Sequence, residues 1–250
     1  MRRLTGDYPA AARAHEEALG IFRDLGDRLG QANALLHLGY VRRMTGDQTA
    51  AARDLEEALG IYRDLGERLG QANALTYLAD VRQLTGDLQG AARDLEEALA
   101  IDRDIGNRLG QANALIHLGS VRRLGGDYPG ATRDLQEALG ICRDLGDRGG
   151  EAEALNETGA LHRTCDDLRQ AGSSHQQALD LARQIGSSWD EAHALAGLGR
   201  CALAAGDTAR ADQMLRQALE IFQRIGAAEA TGTSAELEAL AGTRPAAHGS

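Results

Sequence analysis

The chain has 250 residues and a formal charge of −10 at pH 7, the wrong sign for a nucleic-acid partner. No apolar run approaches about 18 residues and no signal-peptide pattern opens the chain, so no membrane partner is expected and the compartment is read as cytoplasmic. Three cysteines, Cys142, Cys165 and Cys201, are odd in number and lack C-x-x-C spacing, which leaves neither a zinc motif nor a disulfide framework.

From Thr5 a forty-residue cassette recurs without insertion or deletion, restarting at Thr45, Thr85, Gly125, Cys165 and Ala205. Units 45–84 and 85–124 agree at 28 of 40 positions. An unbroken period of this length means stacked supersecondary units that bury their apolar faces only against neighbours. In chain order, Met1–Thr5 reads as the stub of a first helix, followed by a complete second helix with Pro9 in its first turn, where a missing amide costs little. Residues 29–66 show the unit in full. Leu29, Ala32, Leu35, Leu38, Gly39 and Val41 recur at helical spacing and predict a first helix. Gly46-Asp47 interrupts, the glycine suited to close one helix and the aspartate to cap the next. Ala51, Leu55, Ala58, Leu59, Ile61 and Leu65 then mark a second helix, ended by Gly66. Alanines equivalent to Ala51 and Ala58 stand in all six units, as small residues that let helices approach closely.

The later units drift. Thr158 replaces a leucine, His175 stands where Leu55 is expected, and Trp189 takes the place of Leu29. A last helix of about 228–240 has lost the G-D turn and reads as a solvating cap, so the domain is expected over 1–241 with 242–250 a disordered tail.

The pattern A-x-A-L-x-x-L-G-x-V…G-D-x-x-x-A…A-L resembles the tetratricopeptide repeat over residues 1 to about 241. Leu38, Gly39, Ala51, Leu55 and Ala58 match the signature positions. Leu35 stands where the family usually has an aromatic, and Arg42 where it has a tyrosine. The long unit is similar to those of kinesin light chains and Pins-type adaptors, and to C-terminal arrays of bacterial NB-ARC-type ATPases and antibiotic regulators. This resemblance implies an all-α fold, a right-handed α-solenoid of antiparallel hairpins whose first helices line a concave groove. It implies a protein- or peptide-binding scaffold; the alternative is a sensor or autoinhibitory arm of a larger signalling ATPase or transcriptional regulator.

Helical projection leaves residues 33, 36, 37, 40, 43 and 44 off the packed stripe, facing that groove. Asn33, Asn73 and Asn113 form a ladder there, and amides both donate and accept, as a peptide backbone requires. In some long-unit arrays of the family, such ladders contact peptide main chain. The alternative is that each amide bonds its own helix or water. The positions become Glu153 and His193 in later units. His37, Tyr77 and His117 share one register, Tyr40 and Asp80 another, and Arg43, Arg123 and Arg163 form a basic strip suited to acidic side chains or a free C-terminus. The two histidines lie two units apart, too far for one metal ion. Arg42, Arg82 and Arg122 are expected to pair with Asp54, Asp94 and Asp134, while Arg53, Glu56, Glu57, Arg63, Asp64 and their copies read as solubilising surface. The truncated first hairpin leaves two expectations: a piece of a longer protein, or an end-to-end homodimer. No nucleophile–base pairing, phosphate loop or ligand cluster appears, so neither enzyme activity nor a cofactor is expected.

Overall fold

The computed structural model describes residues 8–242, so the Met1–Thr5 stub and positions 243–250 lie outside the described residues. Among the described residues there are twelve helices and no strand. They are α1 (Tyr8–Asp24), α2 (Arg28–Thr45), α3 (Gln48–Leu65), α4 (Arg68–Leu84), α5 (Leu88–Asp104), α6 (Arg108–Leu124), α7 (Tyr128–Leu145), α8 (Arg148–Thr164), α9 (Leu168–Ile185), α10 (Ser188–Ala204), α11 (Thr208–Ile225) and α12 (Glu229–Gly242). Gly242, expected to begin the tail, is the last residue of α12.

The turns follow the sequence chemistry. Gly46 adopts φ 89°, its amide bonds the Arg43 carbonyl, and Asp47 N–H reaches the Arg42 carbonyl at 3.0 Å, closing α2. The Asp47 carboxylate then accepts from the Ala50 amide at 3.1 Å and opens α3. Asp166 carries the same left-handed turn in the fifth unit at φ 62°, one of the few side chains that tolerates it.

The chain divides into two compact units, Met1–Gly150 and Glu151–Ser250. In the first, α2 packs on α3, α4 on α5 and α6 on α7, and successive hairpins stack so that α4 also touches α2 and α6. Ala51, Ala58, Ala91, Ala98, Ala131 and Ala138 are all fully buried. Leu55 sits directly against Gly39, where a Cβ would come 2.6 Å from its Cγ, and Leu135 fills the same slot over Gly119. These contacts explain why small residues recur: any larger side chain would push the helices apart. In the second unit α10 packs between α9 and α11, and α12 covers α11 with Thr233, Leu237 and Leu240.

Two expectations about the packed stripe are corrected. Leu36 and Met44, projected outward, are buried, because a first helix is wedged among its own partner, the next hairpin and neighbouring first helices. Conversely Leu29 and Leu65, assigned to the core, are 44% and 46% exposed. They occupy helix ends at the turns, where nothing packs over them.

The expected pairs of Arg42 with Asp54, Arg82 with Asp94 and Arg122 with Asp134 all form. The outer charges do more than solubilise. Arg23–Glu57, Arg63–Glu97 and Arg103–Glu137 meet at 2.8–2.9 Å across successive second helices. Arg28–Asp64, Arg68–Asp104 and Arg108–Asp144 do the same at the turns, at 2.9–3.2 Å. Each is exposed and contributes at most about 1 kcal/mol, but the repetition registers one hairpin against the next.

Candidate functional site

In the first unit, α2, α4 and α6 lie side by side and present equivalent residues on one face. Asn33, Asn73 and Asn113 are exposed there. Asn33 is held: the buried Tyr62 hydroxyl, from α3, donates to its Oδ1 at 2.7 Å. Room for Tyr62 comes from Gly70, where a Cβ would stand 2.4 Å from the ring. Burial, then the charge of Glu67, pushes the Tyr62 phenol up to about 12, so it remains a donor at neutral pH.

The other two asparagines lack this brace. Residues 29 positions beyond Asn73 and Asn113 are Asp102 and Cys142. Asp102 instead accepts from Asn107 Nδ2 at 2.7 Å, and burial raises its pKa against that hydrogen bond. Asn73 and Asn113 make no side-chain hydrogen bond among the described residues. The Tyr62–Asn33 bond was invisible in sequence, since tyrosine appears at that register in one unit only.

Beside the ladder, Tyr40 and Tyr77 rings lie 5.2 Å apart, and the Arg43 guanidinium stands 5.4 Å from the Tyr40 ring centre. Asp80 organises this group. Its carboxylate lies 3.0 Å from His117 Nδ1 and 3.7 Å from Arg43 Nε, joining α2, α4 and α6. Burial alone would raise its pKa, but His117 and Arg43 together hold it below the usual carboxylate value. Tyr77 is pushed up by burial, then by Tyr40 and Asp80. At one end His37 stacks on His15 at 5.3 Å; His15 is lowered by burial and by His37. At the other end Arg123 donates to Ser120 Oγ at 3.3 Å.

Arg43 faces Asp80 and Arg123 bonds Ser120, whereas Arg163 belongs to the second unit. Within that unit, Asn156, His175 and Asp190 make a buried polar chain, and His193 stands edge-on to Phe222 at 5.1 Å. Among the described residues no three His, Cys, Asp or Glu side chains converge to hold a metal ion, and no helix is long and apolar enough to cross a membrane.

Residues 1–64, 70–144 and 150–224 match the sequence profile of the tetratricopeptide repeat. No curated protein matches the sequence. Among solved structures, BtubC (BKLC) from P. vanneervenii is similar over 100% of this chain and 97% of its own, with 21% identity and a TM-score of 0.65. A signal transduction ATPase with numerous domains and a tetratricopeptide repeat sensor, from Pyrococcus horikoshii, aligns over 97% of this chain but 37% of its own, with 18% identity and a TM-score of 0.67. A Rap protein complexed with Competence and Sporulation Factor aligns over 96% of this chain and 72% of its own, with 15% identity and a TM-score of 0.71. At these identities the likeness is one of fold.

Proposed function

The chain belongs to the tetratricopeptide repeat family, and on that premise we propose that the face of α2, α4 and α6 is a non-catalytic binding surface for an extended peptide segment of a protein partner. One observation carries this reading. Tyr62 holds Asn33, and Asp80 sits between Arg43 and His117, while the amides of Asn73 and Asn113 stay exposed and unbonded. Adjacent first helices lie roughly 10 Å apart, the span of about three extended residues, so the ladder meets a peptide backbone at every third residue. Asn33, its oxygen engaged, offers its NH2 group to a peptide carbonyl. Asp80 already supplies a carboxylate to Arg43 and His117, so the ligand needs no acid at that point. The Rap protein with Competence and Sporulation Factor is a precedent for the fold, not for these residues.

The test is affinity capture from native lysate with wild type beside the Asn33→Ala/Asn73→Ala/Asn113→Ala variant, both checked for equal melting temperature. A partner retained by wild type and lost by the folded variant supports the reading; equal recovery overturns it. Light scattering on the intact chain separates partner binding from the end-to-end dimer, since a monodisperse monomer removes the latter.

A further inference from the structure

The rows of side chains on the α2–α4–α6 face run across the helices, and their spacing selects a ligand conformation. Asn33, Asn73 and Asn113 form one exposed row. Four residues on, about 6 Å along each helix axis, His37, Tyr77 and His117 form a second row beside it. The three helices are in close contact, because Asp80 of α4 lies 3.7 Å from Arg43 of α2 and 3.0 Å from His117 of α6. Helices packed in this way lie about 8–10 Å apart, which sets the interval at which each row repeats.

A ligand that bonds successive asparagines through its main chain must present the same side at that interval. A β-strand does so at every second residue, about 6.6 Å, or every fourth, about 13 Å; its third residue shows the opposite side. An α-helix bonds its own amides and carbonyls and leaves nothing for the ladder. Polyproline II turns once in about three residues, rises about 9.3 Å in doing so, and has no internal hydrogen bonds. Every third carbonyl is therefore open to an asparagine NH2 group.

The chemistry of the face agrees with this spacing. Tyr62 occupies the Asn33 oxygen, so Asn33 can only donate, and a proline residue, lacking N–H, can only accept. Tyr77 is the central ring of the second row, and the Tyr40 ring backs it at 5.2 Å. A half-buried ring held in this way offers the flat apolar surface on which pyrrolidine rings dock. Asp80 is the only acid in α2, α4 and α6, and Arg43 and His117 already match it, so no carboxylate is left for a basic side chain. Resting on the proposal that this face binds an extended segment, we infer that the segment binds as a polyproline II helix. It is an uncharged, proline-rich stretch whose carbonyls at every third residue meet Asn33, Asn73 and Asn113, with a proline ring on Tyr77. Proline fixes φ before binding, which lowers the ordering cost.

The experiment titrates the full chain into fluorescein-labelled (Pro-Pro-Ala)4 and (Ser-Val-Ala)4, followed by fluorescence anisotropy at low and physiological salt. The proline peptide should bind about tenfold or more tighter than the other, with an affinity that salt leaves unchanged. Asn73→Ala/Asn113→Ala and Tyr77→Leu should each weaken it by about tenfold, with the fold checked by circular dichroism. Tyr77→Phe, which keeps the ring, should weaken it by less than about threefold. Equal or tighter binding of (Ser-Val-Ala)4 that is lost in the asparagine variant overturns polyproline II and leaves the peptide-binding face standing. Absence of proline-peptide binding, or binding that ignores both the asparagine and the Tyr77→Leu variants, overturns the inference; the lysate capture then decides the face separately. Binding that weakens as salt rises overturns the uncharged ligand.

Discussion

The imidazole of His175 occupies the space that a side chain at Gly197 would need: a Cβ there would lie 2.3 Å from its Cε1. On the other side Gly159 is as close, with a Cβ position 2.7 Å from the ring. The ring thus passes between the backbones of α8 and α10, where Leu55 and its equivalents meet a single small residue. Nδ1 lies 3.2 Å from Asn156 Oδ1, and Asn156 Nδ2 donates to the Asp190 carbonyl. Nε2 is buried with no hydrogen-bond partner among the described residues. This arrangement suits a neutral ring with its proton on Nδ1.

Acid should therefore weaken this unit. Burial, reinforced by Arg163, Arg200 and His193, lowers the His175 pKa from 6.5 to about 4. The unfolded chain takes up the proton near 6.5, so the native advantage is intact above that value and is lost as pH falls toward 4. Between pH 7 and 4.5, wild type should lose about 2 kcal/mol more than His175→Leu in urea melts. Parallel pH profiles for the two proteins would remove the buried neutral imidazole from the account.

Gly197→Ala should destabilise by about 1–3 kcal/mol, because the ring it meets has no other space. The loss should shrink when His175→Leu is added, and the double-mutant cycle measures that coupling. Additive losses would show that the two sites do not touch.

Gly60→Ala should act in the opposite sense. Gly60 lies in mid-helix with nothing within 4 Å of its Cβ position, and Ala100 occupies the equivalent place one unit on. Alanine lowers the entropy of the unfolded chain and meets no obstacle, for a gain of about 0.5–1 kcal/mol in thermal or denaturant melts. A loss of stability would mean that the helix surface there is covered.

Arg82→Ala should cost about 2 kcal/mol at neutral pH, since it strips the cation from the largely buried Asp94 carboxylate. Even beside Arg82, burial raises Asp94 to about 6. A folded pKa above the unfolded 3.8 means that the site favours the protonated form, and its contribution is lost as pH rises through about 6. The variant's penalty should thus be smaller at pH 5 than at pH 7.5. Equal penalties at both values would assign it to lost packing of the arginine stem instead.

Much of the fold was legible because the period repeats the same local physics six times. Gly46 with Asp47 announced a turn, and Ala51 with Ala58 announced a close helix contact, from residue type and spacing alone. The Arg42, Arg82 and Arg122 pairs were legible too, since twelve residues separate each arginine from its aspartate across a short hairpin turn. The candidate site was legible as a set of registers but not as a mechanism. Asn33, Tyr40, Arg43, Tyr77, Asp80 and His117 were read as facing one surface, yet nothing in their spacing told which would pair. Asp80 meets Arg43 and His117 across 37 residues in either direction, a distance that only stacking of α2, α4 and α6 closes.

By itself the sequence determined the hairpin, its turns and its repetition, because those depend on backbone freedom, capping and side-chain volume within one unit. Only the tertiary structure decided which equivalent residues are equivalent in environment. Leu55 and His175 share a register but not a slot, because Gly197 opens space for the ring in one layer alone. Leu29 and Leu65 share the helical stripe of the core but not its burial, because that stripe runs on past the last neighbour to the edge of the stack.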